Sequence, residues 1–348
     1  MMAEKVTSLQ VAQLAGVSQS AVSRVFTPGA SVSKKTEEKV RKAASELGYR
    51  PNVLARAMVS GKSRIIGLVV AYLDNYFYPE ALEKLSNALQ EQGYHVLIFM
   101  ASRTAGNIDD VMEEILDYQV DGVVLASVAM SSDIATRCQQ AGVPVVLFNR
   151  SQDLDGITSV TSDNYAGGRK VAEFLITAGH SRIAYIAGWP GASTQRDREA
   201  GFRAALNDAG QELYAHDIGD FHTEKARLAA RRMFDVEPQK RPDAVFVAND
   251  HMALAVMDVI RFELGLRVPE DVSVVGYDDV PQAGWLAYNL TTIRQRANLM
   301  VAETVDALLD HIENPTAASA RKVAIDGPLI VRTSARLPKG WTPQRMNS

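Results

Sequence analysis

Cysteine is nearly missing from this 348-residue chain: Cys138 is its only one, which excludes an internal disulfide framework and a zinc cluster built on thiolates. Long apolar runs are missing too. The longest, such as IIGLVVAYL at 65–73, is too short to span a bilayer, and the N-terminal stretch lacks the apolar core of a secretion signal; a cytoplasmic location is expected. Catalytic signatures are equally sparse. No G-x-G-x-x-G follows the first strand candidate, Gly188-Trp189-Pro190-Gly191 being only a weak imitation, and no phosphate-binding P-loop occurs. The six histidines are scattered without metal-ligand spacing, and Asp278-Asp279 has neither a partner base nor a nucleophile elbow beside it. No catalytic residue, metal or cofactor is therefore expected.

What is present starts at residues 6–26, VTSLQVAQLAGVSQSAVSRVF. Leu9, Val11, Leu14 and Ala15 give the first half a helical apolar face, and Ala21, Val22, Val25 and Phe26 do so for the second. Gly16 can leave a helix in the left-handed conformation, and Ser18 can cap the next helix through its hydroxyl. The pattern is a helix-turn-helix. The second helix of such a motif enters the DNA major groove, which makes Gln19, Ser20 and Arg24 the candidates for reading bases. A third helix is expected over 33–47, with Ser33 as cap, Val40, Ala43, Ala44 and Leu47 as its apolar face, and Gly48 as its stop. After Pro51, the segment VLARAMV at 53–59 is too short to be helical alone in water.

The net charge of -4 conceals a segregation. Up to Arg64 eleven basic residues stand against four acidic, a net of +7, while the remainder holds 26 basic and 37 acidic residues, a net of -11. A basic head on an acidic body suits an electrostatic grip on phosphates.

The runs VAQLAGVSQSAVSRVF, VSKKTEEKV, ELGYRPN and LARAM, the last separated by two residues from Gly61, resemble the N-terminal signature of the lactose repressor family of bacterial transcription regulators, and the resemblance continues to about Leu337. It implies that 51–63 is a hinge helix and linker that pairs with its twin in the minor groove of an operator. Met58 is then the intercalating wedge, where the family usually has leucine, and Ala21 stands where a threonine is common. Phosphate and hinge contacts are implied for Ser18, Ser23, Lys34, Lys35, Arg50, Asn52 and Ala55.

Beyond Arg64, apolar strand candidates at 65–71, 96–101, 122–126, 143–148, 183–187, 244–248 and 272–275 mostly precede amphipathic helical stretches such as 79–92, 108–118 and 252–264. Strand–helix alternation of this length predicts parallel sheets with helices on both faces. The fold class expected is α/β: an all-α helix-turn-helix headpiece with a hinge helix, then a two-lobe, doubly wound parallel-sheet domain. The resemblance implies a type I periplasmic-binding-protein-like arrangement, with the chain passing repeatedly between lobes. The expected boundaries are 1–50 for the headpiece, 51–63 for the hinge, 64–337 for the body and 338–348 for a tail. Within the body the N-lobe is placed at about 64–162 plus 294–320, and the C-lobe at about 163–293 plus 321–337.

Ligands of open parallel sheets bind beyond the carboxyl ends of the strands. Polar and aromatic residues gather there: Phe77 and Tyr78 after the first strand, Asn149 and Arg150 after the fourth, Asn249 and Asp250 after AVFVA, Asp278 after SVVG. The family's effector contacts carry over to Tyr78, Asn149, Arg198, Phe221, Asn249, Asp278 and Gln295. Asp163 and Asp250, each opening a helix, are read as helix caps. Arg150, Arg196 and Arg198 could add positive charge suited to a sugar acid or phosphorylated sugar; Arg150 could equally face solvent or pair with Asp153 or Asp155.

The expectation is a DNA-binding transcriptional regulator, a repressor, working as a homodimer on a pseudo-palindromic double-stranded operator and controlled by a carbohydrate or sugar-acid effector, with no membrane partner and with nucleoid association when bound. The alternative is a sugar-binding protein of the same body fold without DNA regulation.

Overall fold

The computed structural model describes residues 6–27, 30–50, 62–71, 73–101, 105–128, 130–152 and 156–340. The expected hinge helix, with Asn52, Ala55 and Met58, lies outside them. The chain divides into two units, residues 1–64 with 119–121, and the rest.

In the first unit, α1 (Ser8–Ala15), α2 (Gln19–Val25) and α3 (Lys34–Leu47) are each closed by their own sequence. Thr7 and Gln10 form a reciprocal capping box on α1, Ser18 accepts the Ala21 N–H at the start of α2, and Ser33 accepts the Thr36 N–H at the start of α3. Gly16 (φ 63°) and Gly48 (φ 68°) end α1 and α3 in the left-handed region. The headpiece core is Val11, Ala12, Ala15, Val22, Val25, Val40, Ala43 and Ala44. Leu9 and Leu14, expected on that face, are each 52% exposed. With only two turns available, α1 turns the Val11, Ala12 and Ala15 side inward, leaving both leucines outside.

The second unit contains two six-stranded sheets. The first joins β1 (Ile65–Val70), β2 (His95–Met100), β3 (Gly122–Ala126), β4 (Val145–Phe148), β5 (Thr158–Ser162) and β11 (Lys322–Ile325) in the order β11-β5-β4-β3-β1-β2, all parallel. The second joins β6 (Ile183–Ala187), β7 (Ala215–Ile218), β8 (Ala244–Val247), β9 (Ser273–Asp278), β10 (Thr291–Arg294) and β12 (Leu329–Ile330) in the order β12-β10-β9-β8-β6-β7, with β12 alone antiparallel. Central strands such as IIGLVV, GVVLA and AVFV are buried along their whole length, as strands covered on both faces must be. The helices are α4 (Phe77–Glu91), α5 (Ala105–Asp117), α6 (Ser132–Gln140), α7 (Asn164–Thr177), α8 (Ser193–Asp208), α9 (Thr223–Phe234), α10 (Asp250–Asp258) and α11 (Ala297–Glu313).

The chain leaves the first sheet after β5 and returns after β10, whereupon α11 packs on β3, β4, β5, β11 and α4. It crosses for the last time between β11 and β12. This corrects the expected boundary at 320/321: Lys322↔Ser159 to Ile325↔Ser162 pairing places 322–325 in the first lobe. A short strand of pattern KVAI carries nothing local that says which sheet edge will accept it.

The tightest helix pair is α7 on α8. A Cβ on Gly168 would lie 2.1 Å from the Arg198 carbonyl oxygen, and one on Gly201 would lie 2.0 Å from that of Tyr165. Hydrogen in place of a methyl lets the two backbones touch, and this contact sets the position of Arg198 on α8.

Candidate functional site

Two sets of polar residues stand out, one on the headpiece and one between the lobes of the second unit.

On the headpiece, Gln19, Ser20, Ser23 and Arg24 are exposed while Val22 and Val25 anchor α2. Gln19 Nε2 donates to Ser8 Oγ at 2.9 Å, the Ser18 and Ser20 hydroxyls are 2.9 Å apart, and Arg24 Nε reaches the Ser20 carbonyl at 3.4 Å. These bonds are short-range and solvent-accessible, so the side chains are pre-placed without being locked. Lys34 and Lys35 are exposed in the first turn of α3, and Arg50 is exposed after its end. Lysines at the positive end of a helix dipole are unfavourable unless an anion shares the site, at about 0.3–1 kcal/mol each; neither has an ion pair among the described residues.

Between the lobes, nine of the residues expected at a ligand cleft are buried: Phe77, Tyr78, Asn149, Arg150, Arg198, Phe221, Asn249, Asp278 and Gln295. They come from the carboxyl ends of strands in both sheets and from the N-terminal parts of α4 and α8, as the topology requires. From the first lobe, Phe77 stacks on Phe148 with centroids 6.3 Å apart, and Asn149 Nδ2 donates to the Tyr78 hydroxyl at 3.1 Å. From the second, Arg198 is held on all sides. Its Nε donates to Asn164 Oδ1 at 2.8 Å and its Nη1 to the Ala248 carbonyl at 2.6 Å. Its Nη2 lies 3.6 Å from Asp278 Oδ1, and its plane sits 3.7 Å from the Tyr277 ring centroid. Gln295 Nε2 donates to Asp278 Oδ1 at 2.7 Å.

Burial raises the Asp278 carboxyl above its ordinary range, opposed by Arg198, Gln295 and Asn75. Burial raises Asp250 further, helped by the charge of Asp278. Burial thus works against the charged form of both carboxyls, and the Arg198 guanidinium works for it at Asp278.

Several cleft polar atoms have no partner among the described residues: Asn149 Oδ1, Asn249 Nδ2, Gln295 Oε1, and Nε and Nη1 of Arg150. Buried polar atoms are normally bonded, so these leave hydrogen-bonding capacity that a polar ligand could use. Backbone strain collects at the same strand ends. Ser127 (φ 61°), Asn149 (φ 56°), Phe221 (φ 54°), Asp278 (φ 132°) and Asp279 (φ 60°) all lie in the left-handed half, a pattern typical of functional sites. A cavity of about 380 Å³ adjoins the cleft, lined by residues that include Phe77, Lys84, Asp278, Arg294 and Gln295.

Some expectations change. Asp163 caps α7 through the Ala166 N–H, but the cap of α10 is Asn249, which accepts from Met252 N–H at 3.0 Å. Asp250 instead turns inward to the Thr292 hydroxyl (2.6 Å) and the Val280 N–H (3.0 Å). Arg196 is exposed. Arg150 neither faces solvent nor forms an ion pair among the described residues; its Nη2 donates to the Ser127 carbonyl (3.1 Å) and hydroxyl (2.8 Å), with Trp189 over it at 5.9 Å. Reasoning from the sequence left out Ser127, Asn164, Trp189 and Ser193. Ser127 could have been found as a polar residue directly after an apolar strand, and Trp189 follows one by two residues; Asn164 comes after the polar TSVTS strand and Ser193 opens α8, with no such cue. Among the described residues no group of His, Cys, Asp or Glu could hold a metal ion.

The family described as bacterial regulatory proteins of the lacI type matches residues 9–52, and a periplasmic-binding-protein-like domain matches 172–335. The HTH-type transcriptional regulator CelR of Thermobifida fusca is 36% identical over 333 residues, covering 93% of this chain and 96% of its own. Among solved structures, the lac repressor dimer bound to operator and the anti-inducer ONPF superposes with a TM-score of 0.85 at 30% identity, over 95% of this chain and 99% of that one. The complex of CelR with cellobiose superposes with a TM-score of 0.72 at 34% identity, over 95% of this chain and 100% of that one.

Proposed function

The chain belongs to the lacI family of bacterial regulatory proteins, and from that premise we propose that it is a sequence-specific DNA-binding transcriptional regulator, a repressor, whose operator affinity is set by a sugar or sugar derivative held between the two lobes. The single observation that carries this reading is the set of buried, incompletely bonded polar groups contributed by both lobes of the second unit, in a chain that also presents an exposed polar recognition helix. A cleft shared by two lobes is a two-state element, because a ligand that bonds both halves favours the arrangement in which both reach it. The resulting coupling to DNA is expected at about 1–3 kcal/mol.

In this reading Gln19, Ser20 and Arg24 touch base edges; Ser18, Ser23, Lys34, Lys35 and Arg50 hold phosphates; and Phe77, Tyr78, Asn149, Arg150, Arg198, Phe221, Asn249, Asp278 and Gln295 line the effector. The protein is a binder rather than an enzyme, works in the bacterial cytoplasm, and associates with the nucleoid through its operator. No helix among the described residues is long and apolar enough to cross a membrane. It acts as a homodimer. Supporting this, Phe262 (80% exposed) and Leu286 (97%) leave large apolar side chains open on the second lobe, beside the half-exposed Trp285, in keeping with a face that another copy covers.

The test is selection of operators from random duplex DNA with the full chain, followed by gel-shift titration with and without sugars. A pseudo-palindromic site whose affinity changes about 5- to 150-fold with one sugar class is expected. In the same assay Arg24→Ala should relax preference at one base pair per half-site. Binding indifferent to DNA sequence, or untouched by every sugar, would remove the reading.

A further inference from the structure

We propose that Arg150, together with the buried first turn of α8, forms a subsite for an anionic oxygen group of the effector, so that the ligand is a sugar acid or a sugar phosphate rather than a neutral sugar. This rests on the cleft being the effector site.

The inference starts from a charge without a counter-charge. Arg150 is 4% exposed. Only its Nη2 is bonded, to the carbonyl and hydroxyl of Ser127; Nε and Nη1 have no partner, and no carboxylate pairs with it among the described residues. Arg198 differs, since Asp278 offsets its charge. A buried guanidinium held by neutral oxygens alone is costly, and an anion that reaches it relieves that cost. Trp189 lies over the guanidinium and shields it from water, which strengthens any ion pair formed there.

A second donor set lies on the same side. Trp189 opens the loop into α8, its carbonyl accepting the Ala192 N–H at 3.0 Å. The Ser151 N–H, one residue beyond Arg150, donates to Ser193 Oγ at 2.9 Å, tying the Arg150 segment to the start of that helix. The helix runs for 16 residues, carries no side-chain cap at Ala192 and no acidic residue in its first turn, and buries Ser193, Thr194 and Gln195. An uncapped, buried helix start offers free N–H groups and the positive end of the dipole. Arg150 and α8 thus offer donors to one negatively charged group, one from each lobe, so an anion bound there would also hold the lobes together.

The experiment compares matched pairs on the full chain by calorimetric titration: hexoses, pentoses and disaccharides against their uronic, aldonic and phosphorylated counterparts, with inorganic phosphate as a further arm. It uses the wild type, Arg150→Gln and Arg150→Lys. The expected result is that one anionic sugar binds about ten- to a hundredfold more tightly than its neutral twin, that Arg150→Gln erases the difference, and that Arg150→Lys keeps part of it. Should Arg150→Gln not fold by circular dichroism, the wild-type pairs and Arg150→Lys still decide. A neutral sugar binding as tightly as its anionic twin, or an Arg150→Gln chain that keeps the preference, would overturn the subsite and leave the effector cleft standing. Inorganic phosphate matching the sugar phosphates would overturn the sugar as carrier of the charge. Binding of no sugar of either kind would overturn the effector reading itself, and the subsite with it.

Discussion

The recognition surface and the cleft are built in opposite ways. On the headpiece the polar residues are exposed and bonded close by in sequence, Arg24 to Ser20 and Ser18 to the Ala21 N–H within one helical turn and Gln19 to Ser8 across 11 positions. In the cleft they are buried and held by residues far off in sequence: Asn149 to Tyr78 across 71 positions, Arg198 to Asn164 across 34. A reading surface has to keep its donors open to a partner that arrives in water, whereas a cleft has to exclude water so that a few hydrogen bonds discriminate. Substitutions in the headpiece should therefore cost function with little stability, and substitutions in the cleft should cost both.

The largest separation between the two is expected from Asp278→Ala. It strands Arg198, 2% exposed, without its carboxylate, and should destabilise the body by about 3–5 kcal/mol while erasing the effector response. Denaturant melts of the body alongside operator binding at low temperature check both; a loss under 1 kcal/mol would mean that the ion pair is not structural. Gly201→Ala should follow at about 1–3 kcal/mol. The new methyl meets the backbone of Tyr165 rather than a yielding side chain, so α8 must move and take Arg198 with it, weakening effector and fold together. An unchanged melt would show that the helices separate freely.

Acid offers a third probe of the body. Burial raises the Asp243 carboxyl, but His180 and the N–H groups of Ser181 and Arg182 outweigh that and bring it down to about 2. Because the folded value lies below the unfolded one, this carboxylate contributes stability above about pH 4, and that contribution disappears as pH falls toward 2. Melts from pH 5 to 2.5 should show Asp243→Asn losing less stability with acid than the wild type; parallel curves would reject the assignment. The smallest effect belongs to the headpiece. Ser18→Ala removes the α2 cap and should cost about 1 kcal/mol there, visible in amide exchange of 6–50, with the transition of the body unmoved.

Legibility followed the same division. Caps at Ser18 and Ser33 and left-handed stops at Gly16 and Gly48 were readable because each concerns residues within one helical turn. The strands were readable where they are short apolar runs, β1, β3 and β8 among them, and missed at β5 (TSVTS), β7 (AHDI), β10 (TTIR), β11 (KVAI) and β12 (LI), which are polar, mixed or very short. In the cleft, residue identity at strand ends was enough to nominate the positions, but not their state. Asn249 and Asp250 are adjacent and both are good caps on paper; the Thr292 hydroxyl and Val280 N–H claim Asp250, which leaves the cap to Asn249.

Local order and the periods of burial, three to four residues in the headpiece helices and continuous runs in the parallel strands, were determined by the sequence alone, because capping, turn conformation and amphipathicity act over a few residues. The charge segregation and the family resemblance were written there as well. Only tertiary structure decided that 322–325 would complete the first sheet, that Asp250 would turn inward, and that Arg150 would be buried without an opposite charge among the described residues. Each of these depends on which distant strand or helix comes alongside, and no residue carries that information in its own neighbourhood.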